Sequence, residues 1–232
     1  RARGGTGGTR MEASGDKTIL WIRHGITEMN VYLGRNGYGS AGFEDPGFWD
    51  TKLTENGERQ AKKLSERRSK GKLGGVELIV ASPLSRALKT ADIAFQGDPT
   101  PRVVNADIRE RMWLSSDVGT PASELKKTYG EEEWDFSEVN DTWWYTDEGW
   151  GRDGKKDWRQ PGKYLHPGEP EERFRERLER FVGWLERRRE SRIAVVSHWG
   201  VIHALTGRSL DNCEVVEGSL SEMRSHKMVF VD

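Results

Sequence analysis

Thr18-Ile19-Leu20-Trp21-Ile22 runs directly into Arg23-His24-Gly25. A short, largely apolar run without alternation reads as a strand buried on both faces, and the polar triplet as the loop at its carboxyl end. Two later stretches repeat this form. Val76 to Ala81 runs into Ser82-Pro83, and Ile193 to Val196 runs into Ser197-His198. Val103-Val104 reads as a short strand and His226 to Val231 as a final one, while Val31 to Asp50 reads as a Gly-rich, aromatic loop. Helical stretches lie between the strands. One spans about Glu55 to Arg68 and is capped by Thr54. A second opens with Ser82 at the cap and Pro83 in the first turn, and its apolar face is Leu84, Ala87, Leu88 and Ala91. Thr120-Pro121 begins a third that ends near Gly130. Glu169 to Arg189 carries the stripe Phe174, Leu178, Phe181 and Leu185, and Gly200 to Leu205 opens the last. Strands alternating with helices predict an α/β protein of three layers, α/β/α, around a mostly parallel central sheet. Ligands of such sheets sit at the carboxyl ends of the strands. Three of those ends carry polar residues here.

Composition narrows the classes of partner. The chain has 232 residues, 34% hydrophobic and 32% charged, with a net charge of −1 and 10 Trp. Disorder of the whole chain conflicts with so many aromatic residues and so small a net charge. The balance of charge gives no support to nucleic-acid or membrane-surface binding, and no apolar run approaches the roughly 20 residues that span a bilayer. One cysteine, Cys213, excludes an intramolecular disulfide framework and a cysteine zinc site. It also fits a reducing compartment, so the expected location is intracellular and cytoplasmic, with an organelle such as a plastid as the alternative. Residues 1–14 read as a disordered leader, either a remnant ahead of Met11 or part of a processed targeting segment. Residues 15–232 read as a single domain with a Trp-rich insertion at about 131–167, which holds Trp134, Trp143, Trp144, Trp150 and Trp158.

Each polar residue at a strand end has an ordinary explanation by itself. His24 could be a structural loop histidine, Arg86 a surface cation, and His198 a satisfied core histidine. Together they suggest an anion pocket. Arg23 beside His24 resists its protonation, and Gly25 allows backbone to approach a ligand closely. Arg86 falls in the first turn of its helix, whose free N–H groups attract anions. Two His and two Arg at three sheet termini could hold a phosphoryl group, and an imidazole nitrogen is a competent nucleophile. His198 and His203 are not spaced for a shared metal, and no metal or other cofactor is expected.

Four motifs in order now make a resemblance. They are Arg23-His24-Gly25 with Asn30 after it, then Asp50-x-x-Leu53-Thr54-x-x-Gly57-x-x-Gln60-Ala61. Ser82-Pro83-Leu84-Ser85-Arg86-Ala87-x-x-Thr90-Ala91 and Val196-Ser197-His198-Trp199-Gly200 complete the set. Over about 180 residues the chain resembles the histidine phosphatase superfamily, the phosphoglycerate mutase-like proteins. The resemblance implies the fold of that family and a phosphohistidine on His24. It implies that Arg23, Arg86 and His198 hold the phosphoryl oxygens, that Asn30 adds a donor, and that Trp199 contacts substrate. It also implies a carboxylic acid for the leaving alcohol: Glu110 in Asp107-Ile108-Arg109-Glu110-Arg111, with Asp117 as the fallback.

The chain departs from the pattern in places. Ile26 and Met29 replace a Glu and a Trp, which points to an altered substrate rim. Residues 111–119 contain no Lys where the mutases carry a substrate Lys. These departures favour a phosphatase over a mutase, with a catalytically silent phosphate-binding protein as a third reading. The expected substrate is a small phosphorylated metabolite, such as a sugar phosphate or a phosphorylated hydroxy-acid. The candidate rim segments are Arg35 to Phe43, Arg111 to Asp117 and the Trp-rich insertion, whose Trp side chains have the ordinary reading of pinning that segment to the core.

Overall fold

The computed structural model describes residues 16–37, 42–71, 73–146 and 168–230. Its strands are β1 (Thr18–Arg23), β2 (Leu78–Ala81), β3 (Arg102–Val104), β4 (Arg192–Ser197) and β5 (Val215–Ser219). They form one sheet in the order β3-β2-β4-β1-β5, parallel except for β5. The helices are α1 (Glu28–Asn36), α2 (Glu55–Ser69), α3 (Ser85–Ala94), α4 (Ala122–Tyr129), α5 (Glu171–Arg187), α6 (Trp199–Thr206) and α7 (Leu220–Ser225). Alternate residues of a strand face opposite sides. So Leu20 and Ile22 of β1 join one core cluster, with α2 and α3, while Ile19 and Trp21 join the other, with α5 and α6. Both faces of the central strands are buried, which is why those strands are continuous apolar runs. The stripe Phe174, Leu178, Phe181 and Leu185 of α5 is buried against the second face.

The parallel pairing also aligns the strand ends. Arg23 of β1 lies beside Ser197 of β4, and Ala81 of β2 beside Val196. The His24 N–H then donates to Ser197 O at 3.0 Å, and the Ser82 N–H to Val196 O at 3.1 Å. His24, Ser82 and His198 therefore leave the sheet at one level.

Three expectations need correction. The first part of the stretch read as a loop from Val31 is helical. Thr27 and Asn30 form a reciprocal capping box that starts α1 three residues earlier. Ser82 does not cap α3, whose first residue is Ser85. The buried carboxylate of Asp50 does so instead, accepting from the Ser85 N–H at 2.8 Å and the Ser85 hydroxyl at 2.6 Å. The antiparallel edge strand is Val215–Ser219 and not His226 to Val231. The later segment runs along α6, where the Val229 N–H donates to Ala204 O at 3.4 Å. Finally, a reason for glycine at position 25 that the sequence did not offer lies in the packing of the fold. A Cβ there would stand 2.7 Å from Gly57 O, and one on Gly57 would stand 2.2 Å from Ile26 O. Both positions must be glycine for the loop after β1 to lie on the start of α2.

Candidate active site

A cavity of about 310 Å³ opens at the carboxyl ends of the strands. Arg23, His24, Asn30, Arg86, Glu110, Asp117 and Trp199 all line it. The structure thus brings together sequence-predicted residues that lie up to 176 positions apart.

His24 is buried, and its Nδ1 lies 2.8 Å from Gly25 O. A carbonyl only accepts, so Nδ1 carries the proton and Nε2 keeps its lone pair. Burial holds this imidazole well below its ordinary pKa, and the Arg86 and Arg23 cations push the same way against the Gly25 hydrogen bond. The ring is therefore neutral and nucleophilic near neutral pH. The sequence suggested Arg23 as the cation responsible; Arg86 has the larger effect.

Arg86 is fixed on three sides. Its Nε donates to His198 Nδ1 at 3.2 Å, Nη1 to Ser116 O at 2.6 Å, and Nη2 to Asp117 Oδ1 at 2.9 Å. A guanidinium has five N–H donors, so one on each terminal nitrogen stays free for an anion. Arg23 is held by a bond from Nη1 to Leu210 O at 2.7 Å, and its Nε is buried without a partner.

His198 sits behind the residues that line the cavity. It is fully buried and does not line the cavity. Its Nδ1 accepts from Arg86, so Nε2 carries the proton and donates to Ser82 Oγ at 2.7 Å. Both nitrogens are thus engaged, one with Arg86 and one with Ser82. Its ring centre is 5.1 Å from that of His24. Asn30 uses its side-chain oxygen to accept the Thr27 N–H at 3.1 Å, which leaves its Nδ2 as the donor for a ligand.

The two candidate acids differ in what they touch. Asp117 is ion-paired with Arg86 through Oδ1, and its Oδ2 accepts from the N–H groups of Trp113 and Leu114 at 3.2 and 3.1 Å. Among the described residues, Glu110 has no cation in contact. Its oxygens accept only the Arg111 and Gly200 backbone N–H groups, at 2.9 and 3.1 Å. Burial raises its pKa, and the Asp117 charge raises it further. The Gly200 and Arg111 N–H groups and the Arg86 cation oppose that rise. Asp117 is also raised by burial, but Arg86 is in direct contact with it and is the leading opposing cause. The geometry thus suits Glu110, rather than Asp117, to carry a proton. A Cβ on Gly200 would come within 2.5 Å of Glu110 Oε1, so glycine at that position makes room for the acid.

A buried ion pair sets the loop that bears Glu110. Arg177 is bidentate to Glu169, at 2.9 and 2.7 Å. The same guanidinium donates to the carbonyls of Asp107, Arg109 and Glu110 at 2.6, 2.7 and 3.1 Å. Arg109 also pairs with Glu169 and is pushed down to about 9, chiefly by burial.

Residues 19–224 match the sequence model of the histidine phosphatase superfamily (branch 1). The chain belongs to the histidine phosphatase superfamily. Members are generally phosphatases or mutases. A "Phosphoglycerate mutase-like protein" of Arabidopsis thaliana is 32% identical over 254 residues, covering 93% of this chain and 85% of the relative. The alpha-ribazole phosphatase of Shigella flexneri has the same fold, with a TM-score of 0.52, 22% identity, and coverage of 86% of this chain and 89% of its own. A mycobacterial glucosyl-3-phosphoglycerate phosphatase also shares it, with a TM-score of 0.50, 19% identity, and coverage of 87% and 92%.

Within this member of the superfamily, sequence reading missed several supports. Ser82 looked like a helix cap and is instead the partner of His198. Thr90, in the third motif, accepts the Gly25 N–H at 3.0 Å. The loop before β5 carried no motif at all. Yet Asn212 Nδ2 donates to His24 O at 2.9 Å, and the Cys213 N–H donates to Arg23 O at 3.0 Å. The rim segments fared unevenly. Met29, Arg111, Trp113 and Leu114 line the cavity, whereas Ile26 and the described part of 35–43 do not. Trp134, Trp143 and Trp144 are buried in the core, away from the cavity, and Trp150 and Trp158 lie outside the described residues.

Proposed function

We propose that this histidine phosphatase is a phosphomonoesterase that needs no metal and acts on a small phosphorylated metabolite. The observation that carries this reading is His24: neutral, fixed through Nδ1, and flanked by Arg23 and Arg86. Two guanidinium groups supply the positive charge that a phosphoryl transition state requires, and an imidazole already deprotonated at Nε2 needs no metal to activate it. In the first step Nε2 attacks phosphorus and the P–O bond to the alcohol breaks. The departing alkoxide takes the proton of Glu110. In the second step water attacks the phosphohistidine, its proton passes to the Glu110 carboxylate, and inorganic phosphate leaves. Asn30 donates to a phosphoryl oxygen, and Trp199 contacts the alcohol portion.

The mutase reading draws on the name of the Arabidopsis relative. It is disfavoured by residues 111–119, which place Trp113 and Leu114 at the cavity and contain no Lys. The deciding experiment is phosphate release from a panel of sugar phosphates and phosphorylated hydroxy-acids, with and without EDTA, wild type beside His24→Ala. Release that resists EDTA and disappears in the variant is expected. Release abolished by EDTA, or retained by His24→Ala, contradicts the proposal. Interconversion of phosphoglycerates in place of phosphate release establishes the mutase.

A further inference from the structure

Above its polar floor the cavity has a wall of rings. Trp199 and His203 lie 4.9 Å apart and 5° from parallel, and the Trp199 N–H is tied to Ser209 Oγ at 2.7 Å. The indole is therefore fixed as a platform. Trp113 carries the Arg111 guanidinium 4.5 Å above its ring, and Phe174 meets Phe230 edge to face at 5.6 Å. These rings and Arg111 line the cavity, together with Met29. They come from five separate places in the chain: the start of α1, the loop after β3, α5, α6 and the carboxyl-terminal segment. Each sugar hydroxyl desolvated here would need a partner, because an unpaired polar group carries its full desolvation cost. On this wall, Arg111 Nη1 and His203 Nδ1 are the polar atoms buried without one. Such a surface offers ring faces first and few unpaired polar atoms, which suits a ring better than a set of hydroxyls.

Resting on the phosphomonoesterase reading, we propose that the alcohol portion of the substrate is a largely apolar, ring-bearing group held against the Trp199–His203 platform. Trp199 is the specificity-determining residue. The cavity is small as ligand sites go, so it has room for about one ring beside the phosphoryl group. This shifts the expectation away from sugar phosphates and phosphorylated hydroxy-acids.

The test has two arms, on the whole chain. Calorimetry first compares two non-hydrolysable phosphonates, 3-phenylpropylphosphonate and 3-hydroxypropylphosphonate. The ring compound is expected to bind about tenfold tighter or better. Trp199→Ala, and independently Phe230→Ala in case the first fails to fold, should remove most of that ratio. The second arm compares kcat/KM for 2-phenylethyl phosphate, glycerol 3-phosphate and 3-phosphoglycerate, whose leaving groups are all primary alcohols. Equal or reversed binding of the two phosphonates overturns the proposal. So does a preference for glycerol 3-phosphate, or for 3-phosphoglycerate, which would place recognition on Arg111. Ring-selective binding without hydrolysis or a phosphohistidine overturns the phosphomonoesterase reading and leaves the ring site standing.

Discussion

The floor and the wall of one cavity are built in opposite ways. On the floor, His24 is held by Nδ1 on Gly25 O and by its N–H on Ser197 O, and the Arg86 and Glu110 side chains each make two or more hydrogen bonds to atoms of the strand ends and the loop after β3. On the wall, Trp113, Phe174, Trp199 and Phe230 meet mainly by packing, and their chain positions have no common pattern. Hydrogen bonds at strand ends fix short runs of sequence. Packing is non-directional and accepts many side chains of suitable volume. The floor can therefore be nearly invariant in design while the wall is free to set the substrate.

The largest effect belongs to the centre of the floor. His24→Ala removes the nucleophile, and turnover should fall on the order of 10⁶-fold, the scale seen when a covalent nucleophile is deleted. Rapid-quench detection of an acid-labile, base-stable phosphoenzyme checks it. A variant that still forms one moves the chemistry to another residue.

Glu110→Gln comes next. The expected loss is about 10²- to 10⁴-fold for alkyl esters, within the range of general acid catalysis, and much less for aryl phosphates, whose leaving groups need no proton. The pH profile separates the two titrating groups. His24 must be neutral, and its pKa is depressed from 6.5, so the rising limb lies below pH 6.5. Glu110 must be protonated, and its pKa is raised from 4.5, so its falling limb lies above pH 4.5. The variant should lose that falling limb and keep the rising one. Comparing both enzymes on one ester cancels the ester's own ionisation. A falling limb that survives unchanged assigns the acid to Asp117.

Arg86→Lys keeps the charge but cannot serve His198, Ser116, Asp117 and a phosphoryl oxygen together. Activity should drop about 10²- to 10³-fold, as when one oriented donor is lost. The rim should be indifferent: the relative kcat/KM among different alcohols stays as in wild type. A changed order of substrates would show that floor and wall are coupled.

How much of each region could be read from the chain follows from the same contrast. The central strands were legible because two-sided burial enforces continuous apolar runs, and His24 and Arg86 because they stand at or just beyond the ends of those runs; Glu110 was legible only through the family resemblance. The edge strand β5 was not, since Val215–Ser219 is only half-buried and holds two Val beside Glu217 and Gly218. The engagement of both His198 nitrogens was hidden too, because it depends on Ser82 and Arg86, more than 110 positions away. Phe174 looked like one more core residue of an amphipathic helix. Nothing in its spacing shows that it faces a cavity.

The tryptophans of the insertion offer the smallest expected change in activity, because those described pin the segment to the core, the ordinary reading of the sequence. Trp143 donates to Thr120 O at 2.9 Å and stands edge to face with Trp144 at 5.5 Å. A Cβ on Gly119 would stand 2.0 Å from its ring, so the chain has left that position bare to seat it. This is a residue that anchors the segment after α4 to the core. Trp143→Phe gives up one hydrogen bond and some packing, about 1 kcal/mol, which corresponds to about 2–4 °C in Tm for a chain of this size. The ratio of kcat/KM between 2-phenylethyl phosphate and glycerol 3-phosphate should not move. If it does, the insertion reaches the substrate, and the wall extends beyond the residues that line the cavity.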